Sequence, residues 1–184
     1  GFESRELSSH AMEEGILGSF NDSFASMLYK ATTHPAMLMY LDNHISAGPN
    51  SQHVRWARSR NEQAGLNDNL GRELLELHTV SPDANYTETD IRNAAKVLAG
   101  WGMDVQGNSP QNLLEQAGTI NHWDMYKKNW AEPGSKLVLG KTIYQGKQGL
   151  KQLTDFLATH DHTINHLSFK LAEHFVRDDP QQAD

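Results

Sequence analysis

Arg72, Glu73, Glu76 and His78 stand within seven positions of one another and form the densest group of chemically able side chains in the chain. Buried against a partner segment, the two carboxylates could shift their pKa values and exchange a proton with a substrate. Arg72 could hold an anionic group with its planar fork. His78 could act as a base or a metal ligand. Together they describe a hydrolase-type site built on Glu73, Glu76 and His78, metal-assisted or not. The same residues also fit a plainer pattern, in which Glu73 and Glu76 lie on a solvated face. His78 would then satisfy carbonyls at a helix end. At 100° per residue neither carboxylate shares an arc with His78, so a site using all three would need other segments.

Other groups carry less. His162 and His166 are spaced i, i+4, which can bring two imidazoles onto one metal, with His160 nearby. No third ligand is evident and His166 projects onto the polar face, so no metal site is expected there. Arg55, Arg58 and Arg60 surround Trp56, a pattern that can contact phosphate or nucleic acid but more simply makes a solvated loop or a salt-bridged flap. His122, Trp123, Tyr126 and Trp130 form an aromatic stretch that could stack on a sugar ring or lie as a lid over the core. There is no glycine-rich phosphate loop and no nucleophile elbow.

The segment GLNDNLGRELLELHTV, 65–80, must position the main cluster. Asn67 is a good N-cap and Asp68 suits the first turn. Leu70, Gly71, Leu74, Leu75 and Leu77 fall on one arc, with Asn69, Arg72, Glu73 and Glu76 opposite. Arg72 and Glu76 are one turn apart and can pair. The spacing predicts further helices around it. One runs over 16–31, with Leu17, Phe20, Phe24, Met27 and Leu28 inward. A second starts at Pro35 after His34 and ends near Asp42-Asn43. Residues 45–64 read as a long connection with room for a short helix. Thr87 and Asp90 resemble a capping box, with Tyr86 and Ile91 as a staple, opening a helix with Ile91, Ala94, Ala95, Leu98 and Trp101 inward. Gly100 and Gly102 stop it. The short link makes it antiparallel to the central helix. A short helix follows over 109–118, with Leu113 and Leu114. Residues 137–144 form a small β-hairpin or an irregular extended segment. The last two helices cover 147–159, with Leu150, Leu153, Phe156 and Leu157 inward, and 163–176, with Ile164, Leu167, Leu171 and Phe175 inward. Asp178-Asp179-Pro180 ends the second.

The fold class is therefore mainly α, an irregular multi-helix bundle with one long loop. A length of 184 residues accommodates one such domain over 1–184, with 1–15 a weakly ordered lead-in. The formal charge of −7 argues against a general binder of nucleic acid or anionic membranes. No apolar run approaches the ~18 residues of a membrane span. The absence of cysteine excludes disulfides, thiolate catalysis and zinc–sulfur sites. The chain begins at Gly1 rather than Met, as a processed chain or an excised piece would.

Six strings, in order, are familiar together: HPAMLMYLDN at 34–43, GPNS at 48–51, the 65–80 segment, YTETDIRNAAKVLAGW at 86–101, EPGSKLVLGK at 132–141 and FKLAEHFVRDDP at 169–180. They resemble the bacterial family catalogued as domain of unknown function 1800. The resemblance implies a mainly helical protein, of which this chain is the C-terminal part of a longer one. It also implies export to the periplasm or beyond, and a sulfatase-like protein encoded nearby as partner. It brings no established reaction or cofactor. The matching positions are Asp42, Asn43, Asn67, Asn69, Arg72, Glu73, Glu76, His78 and Trp101. Asp68 stands where the family often has Glu, and Ala131-Glu132 where it often has His-Asp.

Two functions follow as expectations. The first is a helical binding or scaffold module of the cell envelope, with Asp42, Asn43, Asn67, Asn69, Arg72 and Trp101 as binding residues. The alternative is the hydrolase using Arg72, Glu73, Glu76 and His78. The first expects Arg72 and Glu73 to clamp the 43–66 loop through Asn43, Asn50 or its backbone.

Overall fold

The computed structural model describes Ser19, residues 21–102 and residues 125–176. Among them lie seven α-helices and one two-stranded antiparallel sheet, so the fold is mainly helical with a small hairpin. The helices are α1 (Phe24–Thr33), α2 (Pro35–Tyr40), α3 (Gln52–Ser59), α4 (Asn69–Glu76), α5 (Glu88–Leu98), α6 (Lys147–Ala158) and α7 (Asp161–Phe175). The strands are β1 (Lys136–Val138) and β2 (Lys141–Ile143). The start of the predicted 16–31 helix with Leu17 and Phe20, the 109–118 helix, His122, Trp123 and Asp178-Asp179-Pro180 lie outside the described residues.

Local chemistry sets the helix limits. His34 precedes a proline and is extended, at φ −64° and ψ 136°, which ends α1. Its Nδ1 accepts from the Ala36 N–H at 3.0 Å and so caps α2. Ser51 caps α3 by accepting from the Val54 N–H. The 45–64 connection is thus not one loop, since α3 occupies its middle. Thr87 and Asp90 form the expected capping box on α5. At α4 the cap differs in detail. Asp68 occupies the cap position without a side-chain bond, and Asn67 Oδ1 reaches past it to the Asn69 N–H at 2.9 Å.

The core forms where α4 meets α5. Leu70, Leu74 and Leu75 are completely buried beside Ile91, Ala94, Leu98 and Trp101. Fully burying each of those leucines is worth about 1.5–3 kcal/mol. Gly71 lies against Ala95, and Glu76 near the end of α4 meets Tyr86 just before α5, so the helices run antiparallel. Leu77 departs from the expected arc. It is the C-cap of α4 and stays 63% exposed, because the chain turns there before another helical turn can face the core. The hairpin and α6 close the core with Val138, Ile143, Leu150, Leu153 and Leu157.

Asp90 joins helix to hairpin. Its Oδ2 accepts from Thr87, while its Oδ1 accepts from the Leu139 N–H at 2.8 Å. Burial pushes this carboxyl up, but the hydrogen bonds from Thr87 and Leu139 outweigh it and hold the pKa below the usual range. One turn on, Asn93 Nδ2 donates to Leu137 O. The hairpin turn itself uses Leu139 and Gly140, both at positive φ (47° and 75°), as a two-residue connection of the primed type requires.

The last helix corrects the prediction. In α7 only Thr163 is buried; Ile164, Leu171 and Phe175 are 52%, 58% and 76% exposed. The spacing marks an apolar stripe, but a stripe is buried only where a second element lies over it, and no described element covers this one.

Gly71→Ala tests the central contact. A Cβ there would sit 2.7 Å from the Ala95 backbone nitrogen, so α4 and α5 must separate. Overpacking of about 1–3 kcal/mol or more should outweigh the ~1 kcal/mol gain in helix propensity. The expected outcome is a lower urea midpoint for Gly71→Ala and little change for Gly65→Ala, where no atom lies within 4 Å.

Candidate functional site

The outward face of α4 carries the sequence-predicted cluster, and the structure splits it. Arg72 does not pair with Glu76 or clamp the 43–66 loop. Its two terminal nitrogens donate to Glu88 Oε1 and Oε2 at 3.2 and 3.1 Å, across the α4–α5 junction. Asp68 adds a looser contact at 3.9 Å. The i, i+4 spacing to Glu76 loses to Glu88 because α5 brings a carboxylate into bidentate register. The pair raises the Arg72 pKa and lowers that of Glu88, the hydrogen bond between them being the largest cause of each. Glu76 accepts from the Tyr86 hydroxyl at 3.4 Å. Among the described residues Glu73 makes no side-chain hydrogen bond, and so does not clamp the loop either.

His78 is half-buried beyond the end of α4, where its N–H donates to Glu73 O. Burial holds its imidazole below 6.5, and the nearby Glu73 only partly opposes this. Among the described residues Glu73 acts on the charge of His78, so two of the three predicted catalytic groups are neighbours, while Glu76 turns to Tyr86.

Three predicted binding residues have structural posts. Asn43 is buried in a 3₁₀ turn, where its Nδ2 donates to Leu98 O at 3.1 Å and Trp101 O at 2.6 Å. It thereby satisfies carbonyls at the C-terminal end of α5. Asp42, in the left-handed region at φ 55°, makes the bend that points Asn43 inward. Trp101 is completely buried, edge-on to Tyr29 and tilted against Tyr126. Asn67 and Asn69 lie elsewhere, lining an open depression of about 890 Å³ at the start of α4.

The polar clamp of the long connection was not foreseen. Glu132, 6% exposed, accepts from the Asn50 N–H at 2.8 Å and Asn50 Nδ2 at 2.6 Å. Lys136, equally buried, donates to Glu132 O and Gly134 O, both at 2.6 Å. Burial pushes its ammonium down to about 8, against Glu132, which raises it, and with Lys96, which lowers it further. Gly48 is required below this clamp, since a Cβ would lie 2.5 Å from Glu132. The strings GPNS and EPGSK both flagged these loops, but no spacing rule links positions 82 residues apart.

The basic patch is a column. Arg60 covers one face of Trp56 at 4.5 Å; His53 stacks between Trp56 and Trp130; Lys127 covers Trp130 at 4.6 Å. The ring faces are thus occupied by the protein itself, joining α3 to the 127–130 turn. His160 Nδ1 caps α7 by accepting from the His162 N–H, and among the described residues no group of three or more His, Cys, Asp or Glu could hold a metal.

The family described as Protein of unknown function (DUF1800) matches residues 3–184. Comparison with curated proteins and with solved structures gives no match.

Two substitutions rank these posts. Asn43→Ala leaves the Trp101 carbonyl without its donor, while Leu98 O keeps the Trp101 N–H, and should cost about 1–3 kcal/mol in urea unfolding. Arg72→Ala, at an exposed pair, should leave the midpoint nearly unchanged. Lys136 has a pH signature. Its folded pKa of about 8 lies below its ordinary 10.5, so the unfolded chain holds the proton longer. The burial penalty is fully present below pH 8 and is relieved as pH rises to 10.5. Wild type should gain up to about 3 kcal/mol over Lys136→Met across that window.

Proposed function

We propose that this chain, which belongs to the DUF1800 family, is a helical binding or scaffold module of the cell envelope. The observation that carries the reading is the employment of its polar side chains. Asn43 ends α5, Glu132 and Lys136 hold the long connection, and Arg72 joins α4 to α5. A catalytic site needs such groups preorganised toward a substrate rather than spent on the scaffold. The envelope assignment, periplasmic or secreted, rests on the resemblance to exported proteins, as does a sulfatase-like protein as partner. Among the described residues no helix is long and apolar enough to cross a membrane.

The hydrolase reading keeps one observation in its favour: a half-buried His78, its imidazole pKa lowered by burial, with Glu73 beside it. The protein with and without the sulfatase-like partner separates the two. Wild type and the triple variant Glu73→Gln, Glu76→Gln, His78→Ala should bind that partner with Kd values within about twofold, below the tenfold that 1.4 kcal/mol represents. Neither should hydrolyse ester, phosphate, sulfate or glycoside substrates. Turnover by wild type that disappears in the triple variant would overturn the module reading.

A further inference from the structure

We propose that the depression along residues 62–69 binds an extended peptide carrying a basic side chain, which adds as a strand to the outer edge of residues 64–66. The inference rests on the binding-module reading and names its ligand class.

The geometry begins with the inner edge. Gly65 pairs with Ser46 in an isolated parallel bridge, and its carbonyl accepts from the Ala47 N–H at 2.8 Å. Ser46 Oγ accepts from the Asn67 N–H at 3.1 Å and donates to Asn67 O at 3.2 Å. The Gly65 carbonyl and both main-chain groups of Asn67 are therefore spent on the 46–47 side. In an extended chain the N–H and C=O of alternate residues point to opposite sides. Among the described residues, Ala64 and Leu66 accordingly have no main-chain hydrogen bond. The depression runs along the whole of 62–69, Ala64 and Leu66 included. An extended segment held along one edge and bare along the other is a template for strand addition.

The surroundings select the occupant. The volume of about 890 Å³ accommodates several residues. At its centre a Cβ on Gly65 would meet no atom within 4 Å, so a second backbone can approach. Ile45, 56% exposed, gives an apolar contact for one side chain. Glu62 and Asp68, the latter engaged by Arg72 only loosely at 3.9 Å, stand towards the two ends of the run, in a chain of net charge −7. Lysine or arginine in the peptide would complement them. Gln63 and Asn69 add carboxamides without side-chain partners.

The probe is a capped heptapeptide, alternating valine and threonine with a central lysine, titrated into the ¹⁵N-labelled full chain. Amide shifts confined to 45–47 and 62–69 are expected. A peptide with central glutamate should bind at least about tenfold more weakly, a difference of 1.4 kcal/mol. A version N-methylated at alternate amides should lose binding, whatever the behaviour of any variant. Glu62→Gln with Asp68→Asn should erase the lysine preference without erasing binding. Shifts on the α7 stripe instead, equal binding by the N-methylated peptide, or binding of a neutral oligosaccharide with no peptide binding would each overturn the proposal. Loss of this site with partner binding retained would leave the module reading standing; turnover lost in the triple variant would remove the module reading itself.

Discussion

Everything in this molecule is arranged around one close approach. Gly71 allows α4 to lie directly on the backbone of α5 at Ala95, a distance no side chain would permit. That contact drops Leu70, Leu74 and Leu75 into the same layer as Ile91, Ala94 and Leu98. It also decides the electrostatics of the rim. With the helices this near and antiparallel, Glu88 arrives opposite Arg72, and the ion pair that a single helix suggests, Arg72 with Glu76, is replaced by one between helices. A packing constraint thus rewrites the apparent chemistry of the face above it.

The second layer of organisation is polar and follows backbone supply. Wherever an element ends, main-chain groups need partners. Asn43 meets the carbonyls at the end of α5, Asp90 serves its own helix start and the hairpin turn, and Lys136 meets two carbonyls before β1. Glu132 does the same for Asn50, tying the middle of the long connection to the segment entering the hairpin. The bonds of Asn43, of Asp90 to Leu139 and of Glu132 to Asn50 are long-range, so they specify one arrangement of loops rather than merely adding stability.

How legible this was depends on the range of the interaction. The helices α2, α4, α5 and α6, the capping box and the hairpin could be read because their causes are local: Pro35 after His34, Thr87 with Asp90, leucines at helical spacing, Gly140 at a turn. The candidate site was legible only in part. Asn67 and Asn69 line a depression, and His78 is half-buried as its place in the apolar arc implied. The partners of Arg72, Asn43 and Asn50 were not legible, because each lies on an element whose position only the fold determines. Leu77 and the α7 stripe fail for a related reason. Periodicity reports which face of a helix is apolar, not whether another surface reaches it.

The same distinction separates the bare edge at 64–66 from the apolar stripe of α7. An unpaired amide and carbonyl specify the spacing and direction of the chain that would satisfy them, and two carboxylates specify its charge. An exposed row of Ile164, Leu171 and Phe175 specifies only that its occupant be apolar. Polar incompleteness therefore carries more information about a partner than apolar exposure does. The Ser46 contacts sharpen it further, since they hold residues 65 and 67 from one side and so leave residues 64 and 66 with a single direction in which to bond.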